Sequence, residues 1–500
     1  MHCPMNLLAC LALTMVSGVS HGDRSAATPE SSASLDRLLI VAPGSFASAL
    51  DDFRATRSQQ LGQPVEWLAL ESLADLPGAD APEKLKRELH RRWKAGEFGS
   101  VLLVGDVDVL PVRFMVLDRV AKGAFDTAFY ASDLYYADLA HADGSFDDWN
   151  AYRDGIHAQY FGEVHGERHK GGPINRDGIS YIPEIAVGRW PVSTPAEAEA
   201  VAKKTIRHQR EVLSSRKRSI EQRESESHRS EHGEESGDSK PASDGRSQTQ
   251  QSTPPPPPTL SFFFSGGWID NTRQARELTG RLRASGRWGV DEHGFYLADR
   301  IPSPERVAQS LATLPAAIFH TGHGQPWGWE GCFDAAVLAK APRTARPPLL
   351  FSIGCSTSVI ATQPPYDGYF DSSGRFQAGT NQGQVFESFP PPPAALQTGA
   401  ANASSLAEDA VRQAEGGAIV AIGCVTGSQP CAHTLLDGFV DAALREPEQS
   451  AGAWWQSALC HYVEAERLME LKPGESWYPP SIFFQGMKFV YLGDPTVRLR

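Results

Sequence analysis

The sequence predicts an α/β fold, with mostly parallel β-structure in two blocks and helices flanking the sheets. Three features carry that reading. Short apolar runs of strand length alternate with amphipathic helical segments in both halves of the chain, as βαβ architecture requires. Several runs are apolar on both faces and stop at Gly-Asp or Pro-Gly, the pattern of strands buried in a covered parallel sheet. Residues 211–258 separate the halves with a charged, serine-rich stretch that ends in five prolines.

The elements follow in order. Residues 1–22 read as a secretory signal peptide, because the apolar stretch from Leu7 to Val16 is too short to span a membrane and small residues follow it. Residues 23–35 are small and polar, a loose leader. The first block covers residues 36–210. Its strands are 38–42, 101–104 and 185–187, with a crossover helix over 81–95. A closing helix runs from Pro195 to about Arg210, with Thr194 as its N-cap and proline at its first position. Residues 211–258 hold too few large apolar groups to offset their ordering entropy, so a disordered linker is expected. The second block, residues 259–500, has strands at 260–264, 316–319, 349–353 and 418–422. Ser405-Leu406-Ala407-Glu408 is a capping box, and its helix stops at Gly416-Gly417. Residues 363–403, with Pro390 to Pro393, read as a surface insertion.

Composition narrows the function. A net charge of −13 argues against nucleic acid or an anionic membrane as partner. No later stretch offers eighteen uninterrupted apolar residues, so no membrane span is expected. With Cys3 and Cys10 in the signal peptide, five cysteines remain: Cys332, Cys355, Cys424, Cys431 and Cys460. An odd number leaves one thiol unpaired. Cys424 and Cys431, around a Gly-Ser-Gln-Pro turn, are the candidate disulfide. No cofactor is expected. The one weak cation site is calcium at Asp143, Asp147 and Asp148, against the simpler reading of an acidic solvated loop.

The chemistry lies in two similar stretches, AAIFH-TGHG at 316–324 and LLFSI-GCSTS at 349–358. Each is an apolar strand that ends near glycine and then presents one reactive residue, His323 in the first and Cys355 in the second. Functional groups gather beyond the carboxyl ends of parallel strands. Neighbouring strands would then deliver an imidazole and a thiol to one edge. That pairing suits attack of sulfur on a carbonyl, with imidazole handling the leaving-group proton. Gly324 and Gly354 leave room for backbone N–H groups around an oxyanion. Two rivals read the same residues differently. Zinc on His320 and His323 is disfavoured because a spacing of three sets them on opposite faces of a strand. A serine hydrolase with an elbow at Ser356 and a base at His433 or His461 lacks the final glycine of that motif.

Thr321-Gly322-His323-Gly324, with Trp329 six residues after the histidine and a cysteine closing the next strand, resembles the gingipain family of caspase-like cysteine peptidases. Leu102-Leu103-Val104-Gly105-Asp106, Ser132-Asp133-Leu134-Tyr135-Tyr136 and Val187-Gly188-Arg189 are similar to that family's first-block landmarks. Leu406-Ala407-Glu408, Gly416-Gly417-Ala418 and Leu492-Gly493-Asp494-Pro495 are similar to those of its second. The resemblance covers roughly 36–210 and 259–500. It implies a caspase-like three-layer fold with two mostly parallel sheets flanked by helices. It also implies Cys355 as nucleophile, His323 as general acid–base acting from the other side of the scissile bond, and the N–H groups of Gly324 and Cys355 as oxyanion hole. In the family an acidic residue after the strand matching 260–264 orients the histidine. Ser265 stands at that position, and Asp270 is the nearest carboxylate. Asp270 orients His323, binds a basic substrate side chain, or caps the helix near Asn271. Trp327 and Trp329 wall the substrate cleft or pack an ordered loop. The resulting expectation is an exported, monomeric cysteine endopeptidase acting on protein or peptide substrates. Its alternative is a catalytically weak or inactive peptidase-like module that binds peptides or surface components.

Overall fold

The structure is a computed structural model. It describes residues 35–118, 127–153, 159–166, 169–231, 256–265, 269–295, 302–379, 390–474 and 478–500. The expected signal peptide, all but the last residue of the leader, residues 232–255 of the linker and 380–389 of the insertion lie outside the described residues.

Ten strands form the main sheet: β1 (Leu38–Ala42), β2 (Glu66–Ala69), β3 (Ser100–Val104), β4 (Ala186–Trp190), β5 (Thr259–Ser265), β6 (Gly289–Phe295), β7 (Ala317–Thr321), β8 (Leu349–Ser352), β9 (Val420–Cys424) and β10 (Phe489–Gly493). Their order across the sheet is β2-β1-β3-β4-β10-β9-β8-β7-β5-β6. Neighbours are parallel except at one joint, where β9 runs antiparallel to β10. The two mostly parallel sheets implied by the resemblance are thus the halves of one continuous sheet. Every residue of β1, β3, β7, β8 and β9 is buried, because helices cover both faces.

Among those helices are α1 (Ala47–Leu61), α2 (Ala81–Lys94), α3 (Pro195–Glu231), α4 (Thr272–Ser285), α5 (Pro304–Ala312), α6 (Leu406–Arg412), α7 (His433–Arg445) and α8 (Ala451–Ala465). Local sequence sets their ends. Asp80 Oδ1 accepts the Glu83 N–H at 3.1 Å to start α2, and the capping box of Ser405 and Glu408 opens α6. The apolar faces of α7 and α8 meet the sheet around Phe351. Its ring lies 5.4 Å from Phe439 and 5.8 Å from Trp455.

Three of the landmarks converge on one buried guanidinium. Arg189 on β4 makes two 2.7 Å bonds to the Asp133 carboxylate and one of 2.8 Å to Gly105 O. A charge this deep is tolerated only because it is paired and its donors are filled. Asp494, just past β10, does the same for Arg57 on α1 at 3.1 Å.

Two boundaries read from the sequence need correction. The helix expected to end near Arg210 continues as α3 to Glu231, so 211–231 is helical rather than disordered. Low apolar content forbids a core but not a single helix of Arg, Lys, Glu and Gln. Arg216 also anchors to Glu448 at 3.1 Å. The 363–403 segment is not a simple surface insertion. Gln397 within it is fully buried. The Gln397 N–H donates to Val107 O at 3.0 Å, and Ala395 O accepts from the Val112 N–H at 2.9 Å. This segment therefore ties the second block to the first.

Candidate active site

β7 and β8 lie side by side with His320 opposite Ser352 in register. Three residues onward from that pair stand His323 on one chain and Cys355 on the other. Both chains leave the sheet through tight turns. Gly322 takes φ 134°, which favours glycine. Ser356 holds φ 54°, a left-handed conformation uncommon for a residue with a side chain. The neighbouring loop after β9 holds this turn. The Ser356 N–H donates to Thr426 O at 2.7 Å and the Ser358 N–H to Cys424 O at 3.0 Å.

The two turns touch backbone to backbone. A Cβ on Gly354 would lie 3.0 Å from both Gly324 N and Gly322 O. A Cβ on Gly324 would lie 2.6 Å from Cys355 O and 2.3 Å from Thr357 Cγ2. Glycine at both positions is what admits this approach, and it sets the imidazole loop against the thiol loop. His323 is exposed and Cys355 half-buried.

The sulfur is held in place. The Ser428 N–H donates to Cys355 Sγ at 3.3 Å. Buried Gln485 in turn braces that loop: its Nε2 donates to Ser428 Oγ at 3.0 Å and its Oε1 accepts the Gln429 N–H at 3.1 Å. Lys488 Nζ donates to Gly427 O at 3.1 Å.

Two backbone donors at the same edge have no acceptor among the described residues. The Glu330 N–H donates to His323 O at 3.1 Å, which makes Gly324 and Trp329 a non-hydrogen-bonded pair of their small hairpin. The Gly324 N–H therefore points away from the hairpin. The Cys355 N–H finds no acceptor among the described residues.

His320 is a structural group. Its Nδ1 shares a 2.8 Å bond with Ser352 Oγ, which also accepts the Gly354 N–H at 3.1 Å. Burial, and then the neighbouring His323, pushes its pKa down to about 3, so the ring is neutral. It forms no cluster of potential metal ligands with His323 among the described residues. Trp329, read from the sequence as a cleft wall or a packing residue, is buried. Its ring stacks on His320 at 4.6 Å with 3° between the planes. A large ring beside a neutral imidazole packs better than it gates. Trp327 is the tryptophan that stands out, 69% exposed.

Asp270 is exposed, and its Oδ1 accepts the Thr272 N–H at 2.9 Å as well as the Thr272 hydroxyl. These bonds lower its pKa and brace the start of α4. No hydrogen bond or ion pair joins it to His323 among the described residues. Ser265 is buried, 2.7 Å from where a Cβ on Gly322 would stand. Gly266, Gly267 and Trp268 lie outside the described residues.

Other expectations are corrected in the same way. All five described cysteines are free, so Cys424 and Cys431 form no bridge. Asp143 turns back onto Ser145, Asp147 accepts the Ser180 N–H at 2.7 Å, and Asp148 pairs with Arg153 at 2.6 Å. Among the described residues these three carboxylates do not fall into one cluster of possible metal ligands. His433 sits on α7, where burial pushes its pKa down to about 4, and no bond links it to Ser356 among the described residues. Sequence reasoning missed Ser352, Ser428, Gln485 and Lys488. Only Ser352 left a signal, a hydroxyl in an otherwise apolar strand.

The model of peptidase family C25 matches residues 32–500. The crystal structure of the Arg-specific cysteine proteinase gingipain R is similar at TM-score 0.55 and 13% identity, over 95% of this chain and 80% of that one. The complex of the pro- and mature domains of the Porphyromonas gingivalis enzyme gives TM-score 0.52 and 13% identity, over 93% and 80%. A further solved chain, described as a protease, gives 0.51 and 15% over 92% and 78%. These likenesses show the shared fold. None of the curated proteins compared matches the chain.

Proposed function

The chain belongs to peptidase family C25, gingipain-like cysteine peptidases, and on that premise we propose that it is an exported endopeptidase in which Cys355 attacks the scissile carbonyl and His323 moves the proton. The observation that carries this reading is the backbone contact between Gly324 and Gly354, which brings the two reactive loops together. The Cys355 S–H proton passes to His323 as sulfur bonds the carbonyl carbon, and the C=O π electrons move to the oxygen, which becomes an oxyanion. The free N–H groups of Gly324 and Cys355 receive it. His323 gives a proton to the departing amine, and the acyl-enzyme remains. Water then attacks the thioester carbon as His323 takes its proton, the C–S bond breaks, and His323 returns that proton to the Cys355 sulfur. Residues 1–22 support export, and no helix among the described residues is long and apolar enough to cross a membrane.

Thiol chemistry offers an independent support. Burial pushes Cys332, Cys424 and Cys460 up to about 12 and Cys431 up to about 11. Four of the five thiols among the described residues are thereby kept unreactive near neutral pH. At pH 7.5, iodoacetamide is expected to label Cys355 first and to stop cleavage of a mixed peptide library in proportion. Internal cleavage by wild type and none by Cys355→Ala is the expected pattern, read by mass spectrometry. Equal turnover by the variant, or inhibition that tracks another cysteine, would refute the assignment.

A second reading, a weakly active or inactive peptide-binding module, draws on one observation: no described carboxylate bonds to His323. Peptide binding without turnover by the wild-type protein would favour it.

A further inference from the structure

A second cluster of chemically capable side chains lies in the first block, on a segment with no part in the Cys355 site. Val164 bridges to Leu117 on one side and Asn175 on the other, and it is fully buried. In extended backbone, residues on either side of such a position share the opposite face. Glu163 and His165 therefore point the same way, and both are almost wholly buried, 1% and 6% exposed. Glu163 Oε1 lies 3.5 Å from His165 Nε2. His169 opens a turn in which its O accepts the Gly172 N–H at 3.0 Å. The rings of His165 and His169 stack at 4.6 Å. One ligand atom from each of Glu163, His165 and His169 falls within 4.8 Å of the others.

Asp118 adds what such sites require behind the first ligands. It is fully buried at the end of the strand Arg113–Asp118, and its Oδ2 lies 2.6 Å from His169 Nδ1. That bond orients the ring through Nδ1, as carboxylates do behind metal-bound histidines. Asp177 Oδ2 accepts the Glu163 N–H at 3.0 Å, so a third carboxylate stands close by.

We propose that Glu163, His165 and His169 bind a first-row divalent cation, zinc by donor type, with Asp118 orienting His169. Two imidazoles and one carboxylate match zinc, whereas calcium and magnesium take oxygen alone. The ion ties the extended segment around Val164 to the strand that ends at Asp118. Its role is to clamp the first block, and it takes no part in peptide hydrolysis.

The full chain, stripped with a chelator and reloaded with Zn²⁺ or Co²⁺, tests this. One equivalent is expected to bind and to raise the melting temperature. The Co²⁺ form should show d–d bands without thiolate charge-transfer absorption, since the five free thiols are the competing ligands. His169→Gln, at the more exposed rim of the cluster, should weaken binding roughly 100-fold or more, and Asp118→Asn roughly 10–100-fold. Failure of the wild-type chain to take up metal would overturn the proposal. So would a cobalt spectrum with thiolate bands, or full-affinity binding by a folded His169→Gln protein. The wild-type spectrum decides even where a variant folds poorly.

Discussion

His320 and Ser352 face each other across β7 and β8, and their side chains bond at 2.8 Å. The reactive residues are delivered from this pair, each three positions further along its own chain. Ser352 also accepts the Gly354 N–H at 3.1 Å, so one hydroxyl fixes both the register of the strands and the turn that presents Cys355.

Ser352→Ala should leave the Gly354 N–H and the His320 ring without their buried partner. The expected cost is about 1–3 kcal/mol of stability, read as a fall in the denaturant midpoint. Because the Cys355 turn loosens, kcat should fall roughly tenfold or more while KM changes little. Unchanged kcat would show that the hydroxyl is not what holds the turn.

Gly324→Ala forces a methyl to 2.3 Å from Thr357 Cγ2 and 2.6 Å from Cys355 O. The loops must separate, and the Gly324 N–H moves with them. Activity should drop on the order of 100–1,000-fold, the usual cost of losing an oxyanion donor, with a stability loss of about 1–3 kcal/mol from overpacking. A variant with full activity would contradict the close approach.

Asp270→Asn distinguishes a helix brace from a catalytic carboxylate. The carboxylate is spent on Thr272, and asparagine keeps an acceptor there. kcat/KM on peptides with uncharged side chains should stay within roughly twofold, whereas a group orienting the catalytic imidazole would cost far more. Substrates with arginine or lysine before the cleaved bond test the remaining role, since losing a pocket carboxylate would raise KM for those alone.

His208 on α3 predicts acid sensitivity. Burial, followed by the charges of Arg346, Arg57 and Lys204, pushes its pKa from 6.5 down to about 3. The unfolded chain therefore takes up a proton at higher pH than the folded one. The contribution of the neutral ring is complete above about pH 6.5 and is lost as pH falls toward 3. His208→Gln should flatten the decline of melting temperature between pH 6.5 and 4, measured alongside wild type. Parallel curves for the two proteins would refute the assignment.

Legibility in the sequence followed burial. β1, β3, β7, β8 and β9 are covered on both faces, so their side chains are apolar throughout and announce themselves. The edge strands were unreadable for the opposite reason. EWLA in β2 and GVDEHGF in β6 each have a single neighbour and carry charge, which local pattern assigns to loops. β10 shows the limit of local reasoning, since its antiparallel fit against β9 depends on residues some seventy positions apart. At the site, the spacing around His323 and Cys355 was legible because glycine marks each turn, Gly322 and Gly324 around the histidine and Gly354 before the cysteine. Ser428 and Gln485 were not, because backbone and amide contacts from distant segments leave no motif. The landmarks shared with the gingipains have a physical account: Gly105, Asp133 and Arg189 form one buried ion pair with its carbonyl acceptor.

β10 also imposes a timetable on assembly. It is the final strand in chain order yet occupies the middle of the sheet. A growing polypeptide that has not yet made residues 489–493 leaves β9 with a bare flank, and Lys488 has not yet reached Gly427. Cleavage competence should therefore arrive late and all at once, when the seam between the halves zips shut, instead of growing as each half matures on the ribosome.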